Sequence, residues 1–192
     1  MNVYDFDNTI YDGESVFDFY FYSVRKQPEL IQYAFVVIKT LIKYKLCRIT
    51  EDELFRLAQK YAQHYLAQVR DLDGLIKSFW DKNQHKIKPF YLKQMREDDV
   101  IVSASVDCLL QEIINRIGVR HAICTKFDRK AGKLEYVCYR KNKVSLFYEQ
   151  FPDGVIENFY TDSKNDLALM ELAERTFMVR GNHITLFRDK KR

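Results

Sequence analysis

The chain has 192 residues, 47% hydrophobic and 30% charged, which predicts a globular protein with a substantial core and excludes a disordered chain. The net charge is +4, and much of the basic excess lies in residues 188–192. Such a tail could contact nucleic acid or anionic lipid, but we interpret it as a solvated terminus and expect no nucleic-acid partner.

The low counts of glycine (6) and proline (3) predict that helices dominate the first half of the chain. The expected elements there are a strand over residues 1–6 and helices over 14–46, 51–66 and 72–87. Pro28 breaks the first helical pattern and Pro89 ends the last. Thr50, which is followed by three acidic residues, has the composition of a helix N-cap.

After residue 90, short apolar strands alternate with helices. The expected strands cover residues 100–102, 119–125, 155–160, 176–179 and 184–187, and the expected helices cover 106–117, 143–151 and 167–173. Gly118 closes the first of these helices, and residues 126–140 suggest a hairpin around Ala131 and Gly132. This order predicts an α/β fold, a three-layer core with a mostly parallel sheet, interrupted by an inserted helical block.

The four cysteines and the apolar segments bear on the compartment. No C-x-x-C pair is present, and we interpret Cys47, Cys108, Cys124 and Cys138 as buried free thiols of a reducing compartment. Asp5 interrupts any apolar start, so no signal peptide is expected, and the most apolar window, 33–46, is too short to span a bilayer. We therefore expect a cytoplasmic protein without stable membrane insertion, for which peripheral membrane contact stays open.

Small polar or acidic side chains follow three of the predicted strands. They are Asp5 and Asp7 after the first strand, Ser103 after residues 100–102, and Asp162 and Asp166 after residue 160. In a parallel sheet these strand ends lie at one edge, where ligands bind, and Lys143 could reach the same crevice. The four histidines, His64, His85, His121 and His183, are scattered without ligand spacing.

This set of residue types suits phosphoryl transfer. Crowded carboxylates need a cation, and oxygen ligands together with a phosphate suit Mg²⁺. One carboxylate can attack phosphorus, and a neighbour can protonate the leaving oxygen and later activate water. A lysine and a hydroxyl can bind the phosphate oxygens.

The sequence resembles the haloacid dehalogenase superfamily of phosphohydrolases, in the branch that includes phosphoserine phosphatase. The stretches that carry the resemblance occur in the order of the family motifs: residues 5–9, Ser103, Lys143 and residues 162–167. Residues 5–9 read Asp-Phe-Asp-Asn-Thr, against the family pattern D-x-D-x-T. The fourth stretch reads Asp-Ser-Lys-Asn-Asp, where phosphoserine phosphatases usually have a glycine-rich sequence, and this departure weakens the phosphoserine assignment.

The resemblance implies a role for each matching residue. Asp5 would be the nucleophile, Asp7 the general acid and base, and Lys143 would neutralise both phosphate and nucleophile. The implied metal ligands are Asp5, Asp7 through its backbone carbonyl, and Asp162; the implied phosphate-binding residues are Thr9, Ser103, Ala104 and Lys143. Asp166 and Asn165 would act behind these residues. Residues 13–90 would form a helical cap over a catalytic core of residues 1–12 and 91–192.

Several positions have competing interpretations. Ser105 competes with Ser103 as a cap of the following helix, Lys141 and Arg140 compete with Lys143, and Asp166 could merely cap the helix from Leu167. Glu14 could select an amine in the substrate, or be a first-turn charge. The aromatic residues of the first helices, Phe17, Phe19, Tyr20, Phe21, Tyr22, Tyr33 and Phe35, could form core or an apolar, basic-edged mouth for a lipid-like substrate.

Together these features predict a Mg²⁺-dependent phosphatase that hydrolyses a small or lipid-like phosphate ester through an aspartyl-phosphate, as a monomer or dimer. The alternatives are a phosphoserine phosphatase proper, a phosphotransferase and a non-catalytic module that binds a phosphorylated ligand.

Overall fold

Seven strands form one sheet in the computed structural model of the protein, which describes residues 1–46, 48 and 50–190. The strands are β1 (Asn2–Tyr4), β2 (Val100–Val106), β3 (His121–Asp128), β4 (Lys133–Tyr136), β5 (Asn158–Thr161), β6 (Arg175–Arg180) and β7 (His183–Asp189). Their order is β4-β3-β2-β1-β5-β6-β7, and only the edge strands β4 and β7 run antiparallel to their neighbours. The predicted mostly parallel α/β sheet is confirmed.

Eight helices surround the sheet in the described part of the chain. They are α1 (Ser15–Lys26), α2 (Gln32–Lys45), α3 (Glu51–Gln68), α4 (Leu72–Asn83), α5 (Pro89–Gln94), α6 (Asp107–Ile117), α7 (Asn142–Gln150) and α8 (Leu167–Leu172), with 3-10 turns at Pro28–Ile31, Gln84–Lys86 and Lys164–Asp166. Helices α1 to α5 all lie between β1 and β2 in the chain. The division into a core and a cap of residues 13–90 stays a prediction.

The central strand β1 shows how the layers form. Val3 packs in a buried cluster with Phe147 of α7, whereas its neighbour Tyr4 belongs to a second cluster with Trp80 of α4. Successive side chains of a strand point to opposite faces of the sheet, so that β1 contributes to both clusters. Helices therefore cover both faces of the sheet, as the predicted three-layer core requires.

Several predicted boundaries differ from the structure, among them the strands predicted at 1–6, 119–125 and 155–160, which are Asn2–Tyr4, His121–Asp128 and Asn158–Thr161. Helix α4 ends at Asn83, before a 3-10 turn, and Pro89 begins α5 instead of ending the preceding helix. Proline is favoured at the first helical position because its missing N–H would have no intrahelical partner there. Strand β2 continues through residues 103–105 to Val106, and the helix begins one residue later than predicted, at Asp107.

The helix start at Thr50 is confirmed. The Thr50 side chain accepts the amide of Glu53 at 3.2 Å, and the Glu53 carboxylate accepts the Thr50 amide at 3.0 Å. This reciprocal capping box satisfies two donors at the start of α3.

The aromatic residues of the first two helices differ in their exposure. Phe19 and Tyr22 are buried, and Tyr20 and Tyr33 are half-buried against the same cluster, as the core interpretation predicts. Phe17, Phe21 and Phe35 are exposed, and core packing therefore does not explain them.

The predicted free thiols are found at three positions: Cys124 and Cys138 are buried and Cys108 is half-buried. Burial raises the pKa of Cys108 to about 11, which keeps this thiol protonated at neutral pH. The fourth cysteine, Cys47, lies outside the described residues, as do Lys191 and Arg192 of the basic tail. Among the described residues, no helix combines the length and the apolar character that crossing a bilayer requires.

Gly118 carries the first testable prediction. It ends α6 with a φ of +76°, and no atom lies within 4 Å of the position that a Cβ would occupy. We expect Gly118→Ala to lower the free energy of unfolding by about 1 kcal/mol, because only the left-handed backbone conformation is penalised. Urea unfolding measures the change. Gly118→Asn is the control and should lower the free energy of unfolding by less. Equal losses for both variants would contradict this explanation.

Candidate active site

Asp5 lies directly after β1, between the ends of β2 and β5. Its amide donates to the carbonyl of Tyr160 at 2.9 Å, continuing the pairing of β1 with β5. The Asp5 side chain is buried, and this burial raises its pKa to about 7. The adjacent Lys143 ammonium opposes the shift and Asp166 adds to it. An ionised Asp5 carboxylate therefore depends on neighbouring positive charge.

Lys143 in the first turn of α7 supplies that charge. Its Nζ contacts Asp5 Oδ1 at 2.9 Å and Asp166 Oδ1 at 2.6 Å, and the side chain is almost fully buried. Burial alone would lower the pKa of Lys143, but the two carboxylates raise it above its ordinary value, so this ammonium stays charged. Of the three basic residues considered for this position, Lys143 is therefore the one at the site, and Lys141 is exposed.

Asp166 holds Lys143 from the other side. It occupies the N-cap position of α8, but its side chain forms no capping hydrogen bond. Its Oδ2 instead accepts the hydroxyl of Thr161 at 2.9 Å. The structure therefore favours a positioning role for Asp166 over the simple capping role.

Thr9 links Asp5 to Asp162. Its hydroxyl oxygen accepts the amide of Asp162 at 2.9 Å and lies 3.5 Å from Asp5 Oδ2. Burial raises the pKa of the half-buried Asp162 carboxyl, and the charge of Asp166 raises it further. The loops after β1 and β5 are thus joined, and they place these carboxylates in one crevice.

Asp7 is held by two strong hydrogen bonds. The amide of Ser15, at the start of α1, donates to Oδ1 at 2.6 Å, and the hydroxyl of Ser105 donates to Oδ2 at 2.6 Å. The two serine hydroxyls also lie 3.0 Å apart. Burial raises the pKa of Asp7, which favours its protonated form and suits a general acid.

The predicted capping role of Ser105 is wrong, and the same holds for Ser103. The N-cap residue of α6 is Val106, without a side-chain capping bond, because β2 continues past both serines. Ser103 is buried and its oxygen accepts the amide of Ser105 at 3.1 Å. Ala104 is exposed, and its carbonyl accepts the hydroxyl of Thr125 at 2.7 Å.

Glu14 lies beside the carboxylate crevice. Its Oε1 accepts the side-chain amide of Asn8 at 2.6 Å, and Asn8 has a φ of +56°. Burial raises the pKa of Glu14, and the nearby charges of Asp7 and Asp162 raise it further. Asn165 is exposed in the 3-10 turn before α8, where its backbone amide donates to the Ser163 hydroxyl oxygen at 3.1 Å.

Lys88 is a residue at the site that the sequence analysis missed. It is buried, its Nζ donates to the carbonyl of Asn8, and its charge interacts with Asp12 and Asp162. Burial lowers the pKa of Lys88. Nothing in the local sequence distinguishes Lys88 from the solvated lysines around it, because its burial comes from tertiary packing.

The donor chemistry of the crevice suits Mg²⁺. In the described part of the chain, the four aspartates Asp5, Asp7, Asp162 and Asp166 lie with two buried ammonium groups, those of Lys143 and Lys88. A hard divalent cation would balance this negative excess. Among the described residues, no group of three or more His, Cys, Asp or Glu side chains has the geometry to hold a metal ion. The expected ligand set is compatible with that finding, because it has only two such side chains, the carboxylates of Asp5 and Asp162, and its third member is the backbone carbonyl of Asp7.

Solved structures with a similar fold come from several bacteria. A protein of unknown function from Bordetella pertussis Tohama I has a TM-score of 0.71 and 18% identity, covering 92% of this chain and 87% of that chain. A phosphoserine phosphohydrolase-like protein from Francisella tularensis subsp. tularensis SCHU S4 has a TM-score of 0.56 and 17% identity, and the match covers 92% of this chain and 86% of that chain. A probable phosphoserine phosphatase from Vibrio cholerae has a TM-score of 0.57 and 13% identity, and the match covers 91% of this chain and 55% of that chain.

At these identities the similarity concerns the fold. No curated protein matches the chain. Residues 3–171, however, match the model of the haloacid dehalogenase-like hydrolases.

Proposed function

Because the chain belongs to the haloacid dehalogenase-like hydrolases, we propose that it hydrolyses a phosphate monoester, either small or lipid-like, through an aspartyl-phosphate on Asp5. The observation that carries the proposal is the buried contact of Asp5 Oδ1 with Lys143 Nζ at 2.9 Å. This contact favours the ionised carboxylate and so opposes the burial that raises the pKa of Asp5. It also places an ammonium beside the position that a phosphoryl group would occupy.

In the first half of the reaction, an oxygen of Asp5 attacks phosphorus and the bond to the leaving alkoxide breaks. Asp7 gives its proton to that alkoxide, so that the alcohol leaves neutral and the phosphoryl group stays on Asp5. The hydrogen bonds from Ser15 and Ser105 hold the Asp7 carboxyl in place during this transfer. Lys143 neutralises the charge on the phosphoryl oxygens.

In the second half, the ionised Asp7 removes a proton from water, whose oxygen attacks phosphorus. The bond between phosphorus and Asp5 breaks, inorganic phosphate leaves and the Asp5 carboxylate is regenerated. The proton taken from water stays on Asp7, which is thereby ready for the next substrate.

Asp5, Asp162 and the backbone carbonyl of Asp7 would hold Mg²⁺. When bound, the ion would act as a Lewis acid that neutralises negative charge on the phosphoryl group. Thr9 supports this side of the crevice, because it accepts the Asp162 amide and contacts Asp5. The helices within residues 13–90 would act as a cap that excludes water from the crevice.

Ser105 provides a test of the role given to Asp7. We expect Ser105→Ala to lower kcat/KM, which reports the steps up to release of the alcohol, about 10-fold for an alkyl phosphate, because Asp7 loses the hydroxyl that orients it. The loss should be smaller for an aryl phosphate, whose leaving group needs little protonation. Steady-state kinetics on both esters give the comparison. Equal losses for the two esters would contradict a role of Ser105 in protonating the leaving group.

A panel of phosphate esters tests the reaction class. Phosphoserine, a sugar phosphate, a lysophospholipid phosphate and an aryl phosphate are incubated with the purified protein and Mg²⁺, and released phosphate is measured. We expect hydrolysis of the aryl phosphate and of at least one of the three natural phosphate esters. Transfer of phosphate to an added alcohol or sugar in place of water would reveal a phosphotransferase, and binding without turnover would reveal a non-catalytic module.

A further inference from the structure

An exposed apolar ridge runs along α2. Five aliphatic or aromatic side chains form it, spaced four, three, four and four residues apart: Ile31, Phe35, Ile38, Ile42 and Leu46. This spacing places Phe35, Ile38 and Ile42 on one face of α2, with Ile31 in the preceding 3-10 turn and Leu46 directly after the helix. Phe35 is 68% exposed and Ile38 is 53% exposed, so the ridge faces solvent and not the core. Single exposed apolar residues are normal, but a continuous ridge indicates a surface that another phase or molecule covers.

The charged side chains of α2 itself have one sign. Lys39, Lys43 and Lys45 are exposed on the same helix, and residues 30–50 contain no aspartate or glutamate. Lys39 and Lys43 each follow a ridge residue directly, at Ile38 and Ile42. The surface therefore combines an apolar strip with positive charge that no acidic residue of the same segment balances.

Helix α1 also exposes apolar side chains. Phe17 and Phe21 lie one turn apart and are each 58% exposed. The ring of Phe21 contacts Tyr20, whose hydroxyl accepts the amide of Ala34 in α2 at 2.9 Å. The Tyr20 hydrogen bond joins the two helices, and α1 begins at Ser15, whose amide donates to Asp7. Exposed apolar side chains therefore occur on both of these joined helices, and the first helix begins at the proposed active site.

We propose that this α1–α2 face binds peripherally to the surface of an anionic lipid bilayer. The apolar side chains would enter the boundary between headgroups and acyl chains, while the lysines contact anionic headgroups. Helix α2 has 14 residues and contains three lysines, so it suits a position in the plane of the interface. Binding would place the protein where a phosphate ester with an acyl or isoprenoid chain is presented.

A second copy of the chain is a poorer occupant of this face. Pairing the face with itself would bring the lysines of two copies together, with no acidic residue of residues 30–50 to balance them. An anionic bilayer, in contrast, meets both the apolar and the positive character of the face.

Vesicle flotation tests the proposal with the full-length protein. Vesicles of phosphatidylcholine are compared with vesicles that also contain phosphatidylglycerol, at low and at high salt. We expect partitioning onto the anionic vesicles to be at least about 10-fold stronger, and to weaken at high salt. Exchange of Lys39, Lys43 and Lys45 for Gln should remove most of this preference for anionic vesicles, and Phe35→Ser with Ile38→Ser should weaken partitioning by about 10-fold or more.

Matched control variants distinguish binding through this face from nonspecific adsorption to vesicles. The exposed lysines Lys93, Lys130 and Lys133 changed to Gln, and the exposed Leu92 changed to Ser, should leave partitioning within about 2-fold of the unchanged protein. Asp5→Asn should also bind vesicles normally, since vesicle binding does not depend on hydrolysis.

Three outcomes would overturn the membrane proposal: no partitioning, equal partitioning onto neutral vesicles, or equal losses in the control variants. A dimer in sedimentation that Phe35→Ser and Ile38→Ser dissociate would assign the face to a second copy instead. Because Asp5→Asn retains vesicle binding if the proposal holds, failure of the phosphatase proposal and failure of the membrane proposal are distinguishable.

Discussion

Asp5→Asn is expected to lower kcat for an aryl phosphate by roughly 10⁴-fold or more while the protein folds normally. The amide of asparagine is a poor nucleophile towards phosphorus, but it retains an oxygen that can accept a hydrogen bond from Lys143. Lys143 also keeps its ion pair with Asp166, at 2.6 Å. Burial disfavours the ionised form of Asp5, so a neutral side chain there avoids that desolvation cost.

Circular dichroism and thermal unfolding provide the folding control for Asp5→Asn, and both should remain close to those of the unchanged protein. A variant that folds but retains a substantial part of its turnover would remove Asp5 from the role of nucleophile. The proposed aspartyl-phosphate would then be lost as well.

Lys143→Gln is expected to have the second largest effect, on both activity and stability. The change leaves Asp5 and Asp166 buried without the ammonium that each contacts, and we expect a loss of about 3 kcal/mol in the free energy of unfolding. Loss of charge neutralisation on the phosphoryl group should lower kcat about 10³-fold. Urea unfolding and steady-state kinetics measure the two effects.

Lys141→Gln is the matched control, because Lys141 lies two residues away and is exposed. It should change the free energy of unfolding by less than about 0.5 kcal/mol and leave kcat nearly unchanged. The double variant Lys143→Gln with Asp166→Asn should regain part of the lost stability, since one of the two unpaired carboxylates is removed. Similar effects of the Lys141 and Lys143 changes would contradict the buried ion pair.

The parts of the fold that follow from local sequence could be predicted. Alternation of apolar strands and helices after residue 90 indicated the mostly parallel sheet, and Thr50 and Gly118 marked the start of α3 and the end of α6. These signals are local, because a cap or a left-handed glycine needs only its immediate neighbours. Pro89 shows the limit: the residue could either end one helix or begin the next, and the spacing around it did not decide which.

The acidic residues that follow the strands at the site could also be identified from the local sequence. Asp5 directly follows β1, Asp162 directly follows β5, and Asp166 lies four residues after Asp162; the parallel sheet brings these strand ends together. The contacts that hold them could not be read from the sequence. Ser105 donates to Asp7 across 98 positions of the chain, although its local setting suggested a helix cap. Lys88 resembles any solvated lysine until packing buries it.

Trapping the phosphorylated protein tests the central claim most directly. In Asp7→Asn, an aryl phosphate should still phosphorylate Asp5, because the aryl leaving group needs no proton, whereas water attack lacks its base. We predict a stoichiometric burst of phenol and, after acid quenching and borohydride reduction, conversion of Asp5 to homoserine by peptide mass spectrometry. Absence of the burst, or a phosphoryl group on any other residue, would contradict nucleophilic attack by Asp5.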